Sequence, residues 1–168
     1  MSLPIEPPFQ PMESKQVDEV PRGEQWGYEP KWDGFRCLAF RDGDDVQLQS
    51  KAMKPLARYF PDVVAFMKSM TAQRFVMDGE LVIPYEDSLS FEALLMRIHP
   101  AASRVNKLAA ETPALFVAFD LLVPERGNSL VDAPLRERRE RLETFAAKYF
   151  PSDVRLSPHS TDHDQAMQ

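Results

Sequence analysis

One lysine stands out for the company it keeps. In Tyr28-Glu29-Pro30-Lys31-Trp32-Asp33-Gly34-Phe35-Arg36 it lies between two acids, directly after a proline, with a glycine turn and an arginine following. A lone lysine in a polar turn is ordinarily a solvated surface charge. Here the neighbours argue for more. Pro30 holds Glu29 extended, which puts Glu29 and Lys31 on the same side of a strand end. Asp33-Gly34 is turn chemistry, and Arg36 returns on the strand that follows. A lysine framed in this way can be held in place as an amine nucleophile. Its ordinary pKa of ~10.4 leaves roughly one molecule in two thousand neutral at pH 7. Burial and cationic neighbours lower that value, and a nearby base can take the proton.

Two further stretches place acids where acids are costly. Phe75-Val76-Met77-Asp78-Gly79-Glu80-Leu81-Val82-Ile83 reads as a buried strand interrupted by Asp-Gly-Glu, and Leu115 to Val123 as an apolar strand containing Asp120. Buried without partners, Asp78 and Glu80 would cost several kcal/mol, so the first of these stretches is not a plain core strand. Gly79 would let backbone approach a ligand closely. Strand alternation puts Phe119 on the face opposite Ala118 and Asp120, and by spacing alone Phe119 is core.

The elements that must position these residues follow from periodicity and breakers. Residues 35–40 and 46–50 read as strands joined at Arg41-Asp42-Gly43-Asp44-Asp45, a hairpin signal. A helix runs from about Pro61 to Met70, with the proline suited to its first turn. Ser90 caps a helix from Phe91 to about Ile98, and another covers Ala101 to Ala110. Arg97, Arg104 and Lys107 are expected to be solvated charges. Asp132 and Pro134 open a helix to about Tyr149, burying Leu135, Leu142, Phe145, Ala146 and Tyr149. Its Arg136, Arg138, Arg139 and Arg141 interleave with Glu137, Glu140 and Glu143, which reads as a salt-bridged solvent face rather than a nucleic-acid surface. Val154-Arg155-Leu156 is a short strand. Thr161-Asp162-His163-Asp164 has the form of a helix start, and the sequence ends at Gln168, which suggests a truncated domain.

Composition bounds the rest. The 168 residues, 43% hydrophobic and 27% charged, suit one soluble domain with a fair core. No apolar run approaches a membrane span of ~20 residues, and the first residues lack the pattern of a signal peptide. Cys37 alone excludes an internal disulfide, and His99, His159 and His163 show no zinc-ligand spacing. A reducing, cytoplasmic setting is the simplest reading. A net charge of −6 does not advertise a nucleic-acid binder, although a local basic stripe suffices for phosphate contacts. Residues 1–25, rich in proline, read as an irregular arm lying on the domain.

The spacing Lys-x-Asp-Gly-x-Arg resembles the first motif of the covalent nucleotidyltransferases, which comprise ATP-dependent DNA ligases, RNA ligases and mRNA-capping enzymes. The Asp78-Gly79-Glu80 and Phe119-Asp120-Leu121 stretches resemble later motifs in the same order. Ser50-Lys51-Ala52-Met53 with Phe60-Pro61 resembles a Ser-Arg-Asn-Gly segment followed by Phe-Pro, with Lys51 for the arginine and Met53 for the glycine. Lysine offers a point charge where arginine offers a bidentate fork, so that contact would be weaker. Tyr-Glu-Pro-Lys-Trp-Asp-Gly-Phe-Arg, Arg-Tyr-Phe-Pro and Arg-Ile-His-Pro-Ala look most like the bacterial ATP-dependent DNA ligases related to the end-joining type.

The resemblance implies an α+β fold: antiparallel sheets with flanking helices around a nucleotide cleft, in the ATP-grasp-like manner of a ligase adenylation domain. It implies self-adenylation of Lys31 by ATP, AMP transfer to a 5′-phosphate and sealing by a 3′-hydroxyl, with nicked or broken double-stranded DNA as partner. By resemblance, Glu29 reads the adenine amino group. Pro30 and Trp32 belong to the nucleotide site with Lys31. Arg36 and Lys51 touch ribose or phosphate, Glu80 holds ribose or a metal ion, and the Phe119 ring stacks on the base. Mg²⁺ (or Mn²⁺) would screen the triphosphate. Pro11-Met12 matches a segment that lines the pocket. The later motifs of the family, Glu-Gly-x-x-x-Lys and a closing Lys-x-Lys, and its oligonucleotide-binding barrel are not in the sequence. A monomer is expected, which binds nucleotide weakly, adenylates poorly and does not seal nicks. A capping-type guanylyltransferase, an RNA ligase and an inactive nucleotide-binding fragment are the alternatives.

Overall fold

Largely apolar runs, rich in aromatic and aliphatic residues, build a five-stranded sheet from β1 (Phe35–Asp42), β2 (Asp45–Ser50), β3 (Arg74–Val82), β6 (Leu115–Val123) and β7 (Val154–Leu156). The strand order is β2-β1-β3-β6-β7. These elements belong to a computed structural model, which describes residues 3–10 and 34–157. β1 and β2 meet at Asp42 and Asp45 across a turn in which Gly43 takes φ +63°, the left-handed conformation that the Asp-Gly signal demands. Pairing is antiparallel throughout except for β7, which runs parallel to β6. The sheet is therefore mixed, where antiparallel pairing alone was anticipated. A crossover through a helix forces this, because α4 (Leu135–Tyr149) carries the chain back to the starting end of β6. A two-stranded ribbon, β4 (Pro84–Tyr85) with β5 (Ser88–Leu89), was not anticipated.

Helices cover one face of the sheet. α1 (Pro61–Ser69), which starts with its proline in the first turn, and α4 bury Val63, Met67, Leu142 and Phe145 against Cys37, Ala39, Phe75, Met77, Phe116 and Ala118. α2 (Phe91–Met96) is capped by Ser90, whose hydroxyl accepts from the Ala93 amide at 3.0 Å. α3 (Ala102–Glu111) follows it. On α4, Leu135, Ala146 and Tyr149 are only half-buried, and Arg139 takes a place on the buried face instead. No described helix is long and apolar enough to cross a membrane.

The other face carries a smaller apolar cluster. Leu3 and Ile5 of the N-terminal segment are buried there on Leu38, Phe40, Val76, Leu122 and Val123. Phe9 fastens that segment through its backbone: its amide donates to Gln49 Oε1 at 2.6 Å, and Gln49 Nε2 donates to its carbonyl at 2.5 Å.

Three arginines expected in solvent are inside. Arg97 is fully buried and donates to both Asp62 oxygens at 2.9 Å and to the Tyr59 and Thr112 carbonyls. Arg139, 4% exposed, donates to the Ser157 carbonyl at 2.5 Å and to Glu143 at 3.0 Å. Arg138 reaches Asp120. Each guanidinium donates to a carboxylate and to at least one backbone carbonyl, which offsets part of its own desolvation, although Arg97 Nε is left without an acceptor among the described residues. Arg141, by contrast, is exposed as the helix pattern implied.

Candidate functional site

Sheet register gathers the separate sequence stretches into one row. Ser50 faces Cys37, Cys37 faces Gly79, Gly79 faces Ala118, and Ala118 faces Leu156. One step towards the start of β1, Arg36 faces Glu80 and Glu80 faces Val117. One step the other way, Leu38 faces Asp78 and Asp78 faces Asp120. Directly paired residues share a face of the sheet, so Arg36, Asp78, Glu80 and Asp120 lie together on the face away from α1 and α4.

Phe119 joins them through a β-bulge. The β3–β6 register shifts between Asp78 and Gly79, so that Gly79 faces Ala118 while Asp78 faces Asp120, and Phe119 is the extra residue. A bulge breaks alternation and re-aims the side chain. Phe119 consequently stands on the same face as Asp120, not opposite it as plain alternation requires. The Arg36 guanidinium lies over its ring, 5.1 Å from the centroid. A second shift at Leu122 puts Leu122 and Val123 together in the apolar cluster of that face.

Gly34, the glycine of the lysine motif, lies against this row. A methyl group on Gly34 would overlap the Leu81 carbonyl oxygen and lie 2.9 Å from Val82 Cγ1 and 3.1 Å from Glu80 Oε2. Only a residue without a side chain lets the turn lie this close to β3. Gly79 is needed for a different reason from the ligand approach anticipated. A methyl group there would overlap the Val117 carbonyl oxygen and lie 2.7 Å from the Phe116 ring, so the glycine serves the closeness of β6. Glu29, Pro30, Lys31 and Trp32, and Pro11-Met12, lie outside the described residues, as does the helix start at Thr161.

Electrostatics explain how the acids survive in apolar strands. Asp78, 1% exposed, receives a bidentate fork from Arg36, Nε to Oδ1 at 2.6 Å and Nη2 to Oδ2 at 2.5 Å. Burial pushes its carboxyl up to about 6, against the lowering pull of Arg36. Burial alone would lower the Arg36 pKa, but the Asp78 carboxylate outweighs it and the net shift is upward. Asp120 is raised by burial and held by Arg138, whose Nε lies 2.9 and 3.1 Å from its two oxygens. Cys37, fully buried at the centre of the row, has its thiol pushed up by burial and is no nucleophile. Glu80 is half-buried and faces Arg36. Lys51 is exposed in the turn after Ser50, where the Met53 amide donates to the Ser50 carbonyl at 2.9 Å. Met53 adopts φ +62°, so the chain keeps a glycine-like backbone at a position occupied by methionine.

Sequence reasoning left Asp78, Asp120 and Arg138 without roles. The signal that finds them is simple: each acid inside an apolar strand demands its own cation, and two acids demand two. Among the described residues no cluster of three or more His, Cys, Asp or Glu could hold a metal ion by itself. Among the described residues, one surface cavity of about 420 Å³ lies between Pro124 and Tyr149 and another of about 230 Å³ beside Leu3 and Asp42.

This arrangement agrees with comparisons to known proteins. DNA ligase C2 of Mycolicibacterium smegmatis is 49% identical over 162 residues, 96% of this chain and 45% of the relative. DNA ligase C of Mycobacterium tuberculosis is 47% identical over 161 residues, 96% of this chain and 44% of the relative. Among solved structures, a mycobacterial DNA ligase D complexed with ATP and MES superposes with a TM-score of 0.64 at 27% identity, covering 84% of this chain and 42% of that one. The chain thus spans less than half the length of these relatives. The family model of the ATP-dependent DNA ligase domain matches residues 10–165, and to that family the chain belongs.

Proposed function

We propose that this chain provides the nucleotide-binding face of an ATP-dependent DNA ligase, on which Lys31 becomes adenylylated before AMP passes to a DNA 5′-phosphate. The observation that carries the reading is the single row of the sheet in which Ser50, Cys37, Gly79 and Ala118 align. It brings Arg36, Glu80 and Phe119 to one face, with Gly34 against Glu80.

In the adenylation step the neutral Lys31 Nζ attacks the α-phosphorus of ATP. A nitrogen–phosphorus bond forms, the bond to the bridging oxygen breaks, and pyrophosphate departs while the amine proton passes to a base or solvent. Phe119, half-buried and aimed by its bulge, offers a π-face to the adenine. The Arg36 guanidinium backs the Phe119 ring, 5.1 Å from its centroid, and Glu29 reads the adenine amino group. Pro30 and Trp32 flank the lysine. Lys51, exposed at the rim, supplies positive charge to the phosphates. The single half-buried carboxylate of Glu80 fits Mg²⁺, which takes one or two protein carboxylates and completes its shell with phosphate oxygens and water. There the ion would supply positive charge to the triphosphate. AMP on Lys31 would then pass to a 5′-phosphate at a nick or break in duplex DNA, and a 3′-hydroxyl would displace it.

The test is nucleotide titration of the whole chain with Mg²⁺, together with labelling by α-labelled ATP or GTP. Saturable ATP binding is expected, weakened roughly 5- to 150-fold by Phe119→Ala for the loss of one stacking contact. Any covalent label should come from ATP and vanish in Lys31→Ala. Binding indifferent to Phe119, or label formed from GTP alone, would overturn the reading.

A further inference from the structure

Four charged side chains cross the site face as two ion pairs, and their division is informative. Asp78 and Asp120 occupy directly facing positions of β3 and β6, where two like charges repel. Each has its own arginine from a different element. Asp120 is committed to α4: Arg138 donates to both its oxygens and also to the Ala133 carbonyl at 2.6 Å. Asp78 is committed to β1, through the two-pronged bond from Arg36. A sheet held for stability alone would be served as well by apolar residues in these positions. The Arg36–Asp78 geometry does something that apolar residues cannot. Two parallel bonds fix the plane of the guanidinium, whose central carbon lies over the Phe119 ring, 5.1 Å from the centroid.

Phe119 needs such support. As the bulged residue it is not held by a regular pleat between neighbours, and it is only half-buried. A stacking platform must keep its ring in one orientation before the ligand arrives, or binding loses what ordering it costs. We propose that Asp78 is a positioning residue for purine nucleotide binding: by clamping Arg36 across one face of Phe119, it presents the opposite face of that ring to the base. This rests on the nucleotide-site reading above. It assigns Arg36 to the base side of the ligand, acting through the ring, and leaves the phosphates to other groups.

Calorimetric titration of the 168-residue chain with Mg-ATP, and separately with inorganic tripolyphosphate, tests the proposal in the wild type, Asp78→Asn, Arg36→Ala and the double variant. Measurements are made well below each variant's melting temperature. Each single variant should weaken ATP about tenfold, and the double variant by about the same factor rather than a hundredfold, because both break one clamp. Tripolyphosphate affinity should not move. Unchanged ATP affinity in Asp78→Asn, tighter ATP binding in Arg36→Ala, multiplying losses, or an equal loss for tripolyphosphate would each refute the positioning role while leaving the nucleotide site standing. A wild-type chain that binds no ATP would remove both.

Discussion

The contact between Gly34 and β3 is the joint that, on the proposed reading, carries Lys31 to the Asp-Gly-Glu strand, and a single methyl group tests it. In Gly34→Ala the new Cβ overlaps the Leu81 carbonyl oxygen, with Val82 Cγ1 at 2.9 Å and Glu80 Oε2 at 3.1 Å. The carbonyl cannot retreat, because Leu81 is paired on both sides, with Phe35 and with Phe116. The turn must therefore shift, by about 1 Å to regain ordinary contact distances. Overpacking of this kind costs about 1–3 kcal/mol, within the 5–15 kcal/mol typical of a whole domain, so the variant should still fold. Gly43→Ala is the control. Gly43 also resists substitution, through φ +63°, at a cost of about 1–2 kcal/mol, but nothing lies within 4 Å of its Cβ position and it is far along the hairpin. Urea unfolding should show both variants destabilised by similar amounts. ATP binding and Lys31-dependent labelling should separate them. A misplacement of about 1 Å near reacting groups costs up to ~100-fold, so Gly34→Ala should lose most labelling while Gly43→Ala keeps it. Equal labelling by the two variants would show that closeness to Glu80 is not what brings Lys31 into the site.

Three further outcomes follow from particular side chains. Met53→Gly should stabilise the chain by about 0.5–1 kcal/mol in urea unfolding, since it relieves φ +62° on a residue with a Cβ at the smaller entropic cost of glycine. Arg97→Ala should cost about 3–5 kcal/mol, because it strands Asp62 and the Tyr59 and Thr112 carbonyls. Arg97→Lys should not restore it, for lysine lacks the fork that meets both Asp62 oxygens. For Asp78 the folded pKa of about 6 lies above that of an unfolded aspartate near 4, so the folded state holds the proton more tightly. Its ionisation therefore costs stability as pH rises from about 4 to about 6, by up to ~3 kcal/mol. Asp78→Asn should remove that slope from a pH series of unfolding free energies.

Much of this fold was legible because its signals are local. Asp42-Gly43 sets its own turn, Pro61 and Ser90 start their helices, and an apolar run such as Leu115–Val123 has few alternatives to a strand. The site was legible only in part. That the strand holding Asp78 and Glu80 would not be plain core followed from the cost of burying acids. That Phe119 would share their face did not, because alternation within β6 says the opposite. The bulge is a property of two strands in register, and no single strand's sequence contains it. The arginines failed for a related reason. Arg97 meets an aspartate 35 residues away and Arg138 one 18 residues away, whereas a helix pattern weighs only neighbours three or four positions distant.

The same pairing of charges bears on how a triphosphate could be held. Among the described residues around Phe119, three carboxylates, Asp78, Glu80 and Asp120, stand against two guanidiniums, and both guanidiniums already bond to Asp78 or Asp120. The platform therefore suits a base and ribose better than a tetra-anionic tail, whose charge must be met by Lys31, by Lys51 at the rim and by a divalent cation. Without divalent cations, ATP should bind this chain no more than a few-fold tighter than AMP, because the added phosphates meet little positive charge and several nearby carboxylates. Magnesium should widen the gap for ATP and leave AMP nearly unchanged. Titrating each nucleotide with EDTA and then with Mg²⁺ reads this directly. A large preference for metal-free ATP would mean that the described face supplies phosphate-binding charge on its own, contrary to the pairing of Arg36 and Arg138 seen here.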